Sequence, residues 1–332
     1  MIAETAIVGN FTSALLGNFK SALTTMTTQD TELDPAQVPV IGLAEAHPRA
    51  PFRVVGDTAY LFFTPGNDRL IVSFDNLATI DEPYPRLPWL FRHVRAAGYS
   101  LLGVQSHAKD WFRQKTAPAM IRTLQAQGFF GQFSRVVFTG ASMGGFGALN
   151  FAPLVPGASV LAFSPQSTMQ RQIAPFERRY PWAVRNSNWE APQFLDAAEA
   201  VPNLPHATIL YDPHVAEDRL HAQRLAAPHV QRLWLSFSGH EAVRTVVKAG
   251  AMPATLAEFA ETGQLGSTFW RLMRARRTQR KWRRALIKAA QERHPHLTLR
   301  AAEAMLREQD YLFARQARAA ILEKFPNLAD QA

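Results

Sequence analysis

The stretch Gly140-Ala141-Ser142-Met143-Gly144 constrains this chain more than any other. It follows the β-branched run Arg135-Val136-Val137-Phe138-Thr139 and opens a small-residue helix over 144–152. A strand that turns through Gly-x-Ser-x-Gly into a helix describes a nucleophile elbow. The turn is tight, so side chains on the flanking glycines would collide where strand and helix backbones pass. Met143 follows the serine at the helix N-terminus, where its N–H and the helix dipole can stabilise a developing oxyanion. Acyl transfer is the chemistry such a turn suits. Three specified residues are a modest signal alone, and the strand before and helix after give them weight.

The 332 residues, 47% hydrophobic and 19% charged, suffice for one large core with appendages. The absence of cysteine excludes disulfides, thiolate catalysis and Cys-ligated zinc, and gives no sign of an oxidising compartment. Residues 1–8 lack a basic stretch followed by a sustained apolar run, so no secretory signal is expected. No apolar run approaches bilayer length, and the expected location is cytoplasmic.

Charge is unevenly distributed. Residues 1–265 hold 21 Lys and Arg against 21 Asp and Glu, whereas 266–332 hold 15 against 6, so the excess of +9 lies in the tail. Residues 269–284 carry eight basic side chains and no acid. Such a segment can attract an anionic surface, a phospholipid, glycan or nucleic acid, with Trp270 and Trp282 inserted or stacked. Trp270, Met273, Trp282, Leu286 and Ile287 also recur at roughly helical spacing, and the expectation is that these rings pack while the arginines are solvated. Residues 297–325 read as a helix pair, with Thr298 as a cap.

Along the core the pattern predicts a hairpin over 52–74 turning at Pro65-Gly66-Asn67-Asp68. Helices follow near 89–97 and 118–127, with a strand at 99–104 between them. Beyond the elbow come strands at 159–163, 207–211 and 230–237, with helices at 218–226 and 241–249. Such alternation means a mostly parallel sheet with helices on both faces. The organisation read from this is an N-terminal arm (1–50), a catalytic domain (51–265) with a small cap insertion (about 165–205), and a basic helical C-terminal extension (266–332). The cap is rich in rings, Phe176, Tyr180, Trp182, Trp189 and Phe194, which either line an apolar pocket or anchor the cap. Ser164-Pro165-Gln166, at the strand end beneath it, is expected to face the pocket.

From about residue 52 to 250 the chain resembles an α/β-hydrolase, and Gly-Ala-Ser-Met-Gly-Gly is similar to the elbow of esterase-D-like serine hydrolases and related acyltransferases. The resemblance implies partners in the order serine, acid, histidine, each on a loop after a later strand. His240, following the 230–237 strand, is the downstream histidine so placed. After the 207–211 strand the acid is Asp218, with Asp212 at the strand end as the alternative, and Asp218 is also expected to cap the following helix. The oxyanion hole implied is the Met143 N–H with the N–H of Asn76 or Leu77, although the His-Gly pair of many lipases is absent from that loop. His107 and Trp111 follow another strand and are expected to be solvated loop residues rather than pocket ones.

By this resemblance Ser142 attacks an acyl carbonyl, His240 takes its proton, Asp218 holds the imidazole, and no cofactor or metal is required. The leading expectation is a hydrolase of carboxylic esters or thioesters acting on a small or lipid-like acyl ester. Alternatives are an acyltransferase passing the acyl group to a sugar or lipid hydroxyl, and a non-catalytic hydrolase-fold protein binding an anionic partner through its tail.

Overall fold

A computed structural model describes residues 33–331. Residues 1–32 of the expected N-terminal arm therefore lie outside the described residues; the rest of that arm carries two short turns, Pro35–Gln37 and Leu43–Glu45, and a bridge from Val40 to Arg53.

Among the described residues eight strands make one sheet: β1 (Phe52–Val55), β2 (Ala59–Thr64), β3 (Arg69–Phe74), β4 (Ser100–Ser106), β5 (Arg135–Ala141), β6 (Ser159–Phe163), β7 (Ala207–Tyr211) and β8 (Val230–Trp234). Their spatial order is β1-β2-β4-β3-β5-β6-β7-β8. β2 pairs antiparallel with both β1 and β4, and β3 to β8 pair in parallel. The helices are α1 (Phe91–Ala96), α2 (Thr116–Ala126), α3 (Met143–Phe151), α4 (Pro181–Asn186), α5 (Ala197–Ala200), α6 (Ala216–Arg224), α7 (Ala242–Lys248), α8 (Met252–Thr262), α9 (Ser267–Leu272), α10 (Arg280–Ala290), α11 (Pro295–Glu308) and α12 (Leu312–Lys324). The strand order, with β2 alone reversed and helices on both faces, is that of the α/β-hydrolase fold.

Two cores follow from the period of two in the strands. Leu70, Val72 and Phe74 of β3, Phe138 of β5, Val160 and Ala162 of β6, and Ile209 of β7 point to one face, under Ile121 and Leu124 of α2 and Phe146 and Leu149 of α3. Their sequence neighbours Ile71, Val137, Leu161, Phe163 and Leu210 point to the other, under Val94 of α1, Val246 of α7, Leu256 of α8 and Phe269 of α9. Strands covered on both faces carry nearly continuous apolar stretches, as β3, β5, β6 and β7 do with Leu-Ile-Val, Val-Val-Phe, Val-Leu-Ala-Phe and Ile-Leu-Tyr. The helix α8 has no counterpart in the sequence reading, although Pro253 in its first turn and Gly263 at its end, φ 74°, are its start and stop signals.

The expected hairpin over 52–74 is corrected. β2 and β3 do not pair with each other; β4 lies between them, and the true hairpin is β1–β2. Residues 65–68 cross the start of β4 instead of turning: the Gly66 N–H donates to Ser100 Oγ at 2.8 Å, and that hydroxyl donates to the Asn67 carbonyl at 2.8 Å. A Cβ on Gly66 would lie 2.4 Å from the Tyr99 carbonyl carbon, so glycine is what lets the crossing close.

In the tail, Trp282 donates to the Ser236 carbonyl at 3.0 Å and meets Phe237 edge-on, while the Arg276 guanidinium lies over both Trp270 and Trp282. The rings are thus packed, and Arg274, Arg277, Arg280 and Arg284 face solvent. α10, α11 and α12 bury a small core of their own from Ile287, Ala302, Met305, Tyr311, Ala314 and Ala317. Thr298 is not a cap: α11 already starts at Pro295, and the Thr298 hydroxyl back-bonds to the His294 carbonyl at 2.8 Å. No helix among the described residues is long and apolar enough to cross a membrane.

Candidate active site

β3 and β5 are neighbours from which the chain leaves in opposite directions along the sheet, to β4 and to β6. A crevice opens outside the carboxyl ends of parallel strands at such a point. Ser142 sits there, between β5 and α3, with φ 54° and ψ −117°. That backbone is unfavourable for a residue with a Cβ by about 1–3 kcal/mol, and the surroundings must enforce it. They do so by contact: a Cβ on Gly140 would lie 2.1 Å from the Gly144 carbonyl carbon, and one on Gly144 would lie 2.6 Å from the Asp75 carbonyl oxygen.

Of the residues expected to act together, three meet. His240 Nε2 lies 2.9 Å from Ser142 Oγ, and His240 Nδ1 lies 2.8 and 2.9 Å from the two carboxylate oxygens of Asp218. A carboxylate only accepts, so Nδ1 carries the proton and Nε2 is left to accept from the serine hydroxyl. Asp218 is not the N-cap expected of it. Val215 occupies that position and Asp218 lies in the first turn of α6, its buried carboxylate turned to the histidine instead of to helix amides. Asp212, the alternative acid, is committed to the loop: it accepts from the Gly239 N–H at 2.7 Å and the His214 N–H at 3.0 Å, and so shapes the chain just before His240.

A second layer, unforeseen in the sequence, comes from the cap. Arg179 Nη1 donates to Asp218 Oδ1 at 2.9 Å and lies 3.2 Å from His240 Nδ1; as both nitrogens are donors, they meet through the carboxylate oxygen they share. Behind it, Glu177 grips the guanidinium through both oxygens and accepts from His221 Nε2 at 3.1 Å. Burial would push the Glu177 carboxyl up, but the bonds from His221 and Arg179 more than offset it and hold it at about 2. His221 is pushed down by burial, and its Nδ1 accepts from the Ser167 N–H at 3.0 Å, which fixes the proton on Nε2. Ser167, His221 and Glu177 thus repeat a serine, histidine and acid set, but all three are buried and none lines the cleft.

The loop after β3 is pinned by Asp75, which accepts from Arg86 at 2.6 Å, the Ser106 N–H at 3.0 Å and Thr79 Oγ1 at 3.1 Å. Here the Asn76 N–H donates to Thr79 Oγ1 at 3.0 Å, and the Asn76 side chain accepts from the amides of Ala78 and Thr79. Asn76 and Leu77 both border the cleft. Met143 is the first residue of α3, where helix amides have no intrahelical acceptor.

Ser142 and His240 line a cleft of about 710 Å³ whose apolar walls include Leu77, Leu87, Trp89, Phe91, Tyr180 and Val243. Of the cap rings, Tyr180 reaches it; Trp189 packs on Phe146, Phe194 on Phe151 and Phe176 on His221, so these three anchor the cap. His107 stacks on Tyr60 away from the cleft. Trp111 is not the solvated loop residue expected: it is fully buried, with its indole N–H donating to Gln166 Oε1 at 3.1 Å, and Gln166 Nε2 lies 3.0 Å from Ser142 Oγ. Among the described residues no cluster of His, Cys, Asp and Glu could hold a metal ion.

No protein-family model matches the sequence, and no curated protein matches it. Solved structures do. The capsule O-acetyltransferase of Neisseria meningitidis serogroup A is 11% identical with TM-score 0.42, covering 63% of this chain and 92% of its own. An α/β-hydrolase enzyme from the metagenome of lagoon sediments at Mar Chica, Morocco, is 16% identical with TM-score 0.40, covering 64% and 99%. An esterase of Pyrococcus furiosus is 16% identical with TM-score 0.39, covering 61% and 85%.

Proposed function

We propose that this protein is a serine hydrolase that cleaves a carboxylic ester or thioester through an acyl-enzyme on Ser142. The observation that carries the reading is the continuous chain from Ser142 Oγ through His240 to Asp218, with both links under 3.0 Å, opening on a cleft with apolar walls. His240 Nε2 takes the hydroxyl proton as Oγ attacks the carbonyl carbon, and returns it to the leaving group as the tetrahedral species collapses. Asp218 holds the imidazole in the tautomer that can accept, and Arg179, anchored by Glu177, holds Asp218. Water then repeats the sequence with His240 again as base.

The oxyanion is received by the Met143 N–H and a second amide from the loop after β3. We assign that amide to Leu77, since the Asn76 N–H is already spent on Thr79 Oγ1. Two such donors contribute roughly 3 kcal/mol each to the transition state. Steady-state turnover of p-nitrophenyl butyrate tests the reading: the wild type hydrolyses it, and Ser142→Ala and His240→Ala each lose at least about a thousandfold in kcat. Equal turnover by Ser142→Ala and wild type contradicts it.

A further inference from the structure

We propose that Gln166 is a catalytic residue whose side-chain amide donates to the oxygen of Ser142 and acts chiefly in deacylation; this rests on Ser142 being the nucleophile. Gln166 follows β6 by three residues and is fully buried. The second glycine after the serine brings it there: a Cβ on Gly145 would lie 2.8 Å from Pro165 Cβ, so only glycine lets the 164–166 segment close on the elbow.

The orientation of the amide follows from its other partner. Trp111, fully buried, presents an indole N–H that can only donate, at 3.1 Å, so the Gln166 oxygen must face it. The amide nitrogen is then directed at Ser142 Oγ, at 3.0 Å. Gln166 Oε1 also lies 3.3 Å from Oγ, but the single hydroxyl proton has a nearer acceptor in His240 Nε2 at 2.9 Å. The serine oxygen is thus donor to one side chain and acceptor from another.

The consequence differs between the two halves of the reaction. In the free enzyme Oγ is a hydroxyl oxygen that already accepts from Gln166, so the bond is present before attack and is little changed by it. In the acyl-enzyme Oγ is the alkoxy oxygen of an ester, whose lone pair is delocalised into the carbonyl and accepts poorly. When water has added and the tetrahedral species collapses, the bond from carbon to Oγ breaks, its electron pair returns to Oγ, and the imidazolium Nε2 delivers the proton. The Gln166 N–H bond strengthens as that charge builds. Only a bond stronger in the transition state than in the preceding ground state accelerates a step, and this one qualifies in deacylation.

Stopped-flow hydrolysis of p-nitrophenyl butyrate separates the halves as burst and steady state, and intact-mass spectrometry counts acyl-enzyme. For Gln166→Met the deacylation constant is expected to fall about ten- to a hundredfold, the difference made by a hydrogen bond to a charging atom. Acylation should change less than about threefold, so acyl-enzyme accumulates. Trp111→Phe, which frees the amide to rotate, is expected to shift the partition the same way by less, and decides the matter should Gln166→Met not fold. Equal losses in both constants, or none, overturn the role of Gln166 while leaving Ser142 as nucleophile. A wild type that neither acylates nor turns over overturns the reading of Ser142 and this inference with it.

Discussion

The elbow and the cap meet at Ser142 but are built by opposite means. The elbow is local: strand, three glycines within six residues and helix, each explained by a clash with something a few residues away or on the adjoining strand end. The cap side is assembled from residues distant in the chain, with Arg179 reaching an Asp218 39 residues away and a His240 61 residues away. A nucleophile can be presented by a turn, whereas orienting its base takes charges brought in from separate loops. The division of labour predicts which substitutions hurt chemistry and which hurt folding.

The largest effect separates the two aspartates. Asp218→Asn is expected to lower kcat by roughly ten-thousandfold through loss of the accepting tautomer of His240. Asp212→Asn, which weakens only the bonds to Gly239 and His214, should cost less than about tenfold. Equal losses would mean that loop shape, not the carboxylate at Nδ1, governs the histidine. Next in size is Arg179→Met, for which kcat should fall about tenfold with KM little changed, and Arg179→Lys should restore part of it. An unchanged kcat would reduce the cap network to scaffolding.

The same network predicts acid sensitivity. Glu177 is held at about 2 against an ordinary 4.5, so its contribution is fully present above pH 4.5 and is lost as pH falls through about 2. Glu177→Gln should flatten that limb of the unfolding free energy and cost about 3 kcal/mol at pH 7, measured by urea denaturation. A limb unaltered by the substitution would place the acid sensitivity elsewhere.

Asp110, buried at the foot of the Trp111 loop, makes the opposite and smaller case. Burial pushes its carboxyl up to about 6 from 3.8. The unfolded chain ionises it first, so stability declines as pH rises from about 4 through 6. Asp110→Asn, which can keep the bond from the Phe112 N–H, should gain about 2 kcal/mol or less at pH 7 and nothing at pH 3.5. A loss at both would show that the carboxylate itself is needed.

What was legible follows the same line. The sharp turn at Ser142 and the parallel strands are readable because steric and periodic signals are short-ranged. Helix α8 has only its proline start and glycine stop to mark it, and Gly250 two residues before it reads equally well as the end of the preceding helix. Pro65-Gly66-Asn67-Asp68 has the composition of a hairpin turn; that it is a crossing depends on Ser100, 34 residues after Gly66 on a strand that pairs with both β2 and β3. Arg179 and Gln166 carried no motif, for a single arginine or glutamine has no neighbours that announce a partner. Asn76 and Leu77 look alike in the sequence because what distinguishes their amides is one side-chain contact, the Thr79 hydroxyl that accepts from the Asn76 N–H.

The most direct measurement is covalent labelling with a fluorophosphonate, followed by peptide mapping. The wild type should carry one adduct, on the peptide holding Ser142 and at that serine, and Ser142→Ala should carry none. A wild type left unlabelled, or labelled equally with and without Ser142, would contradict the assignment of the nucleophile and the mechanism drawn from it.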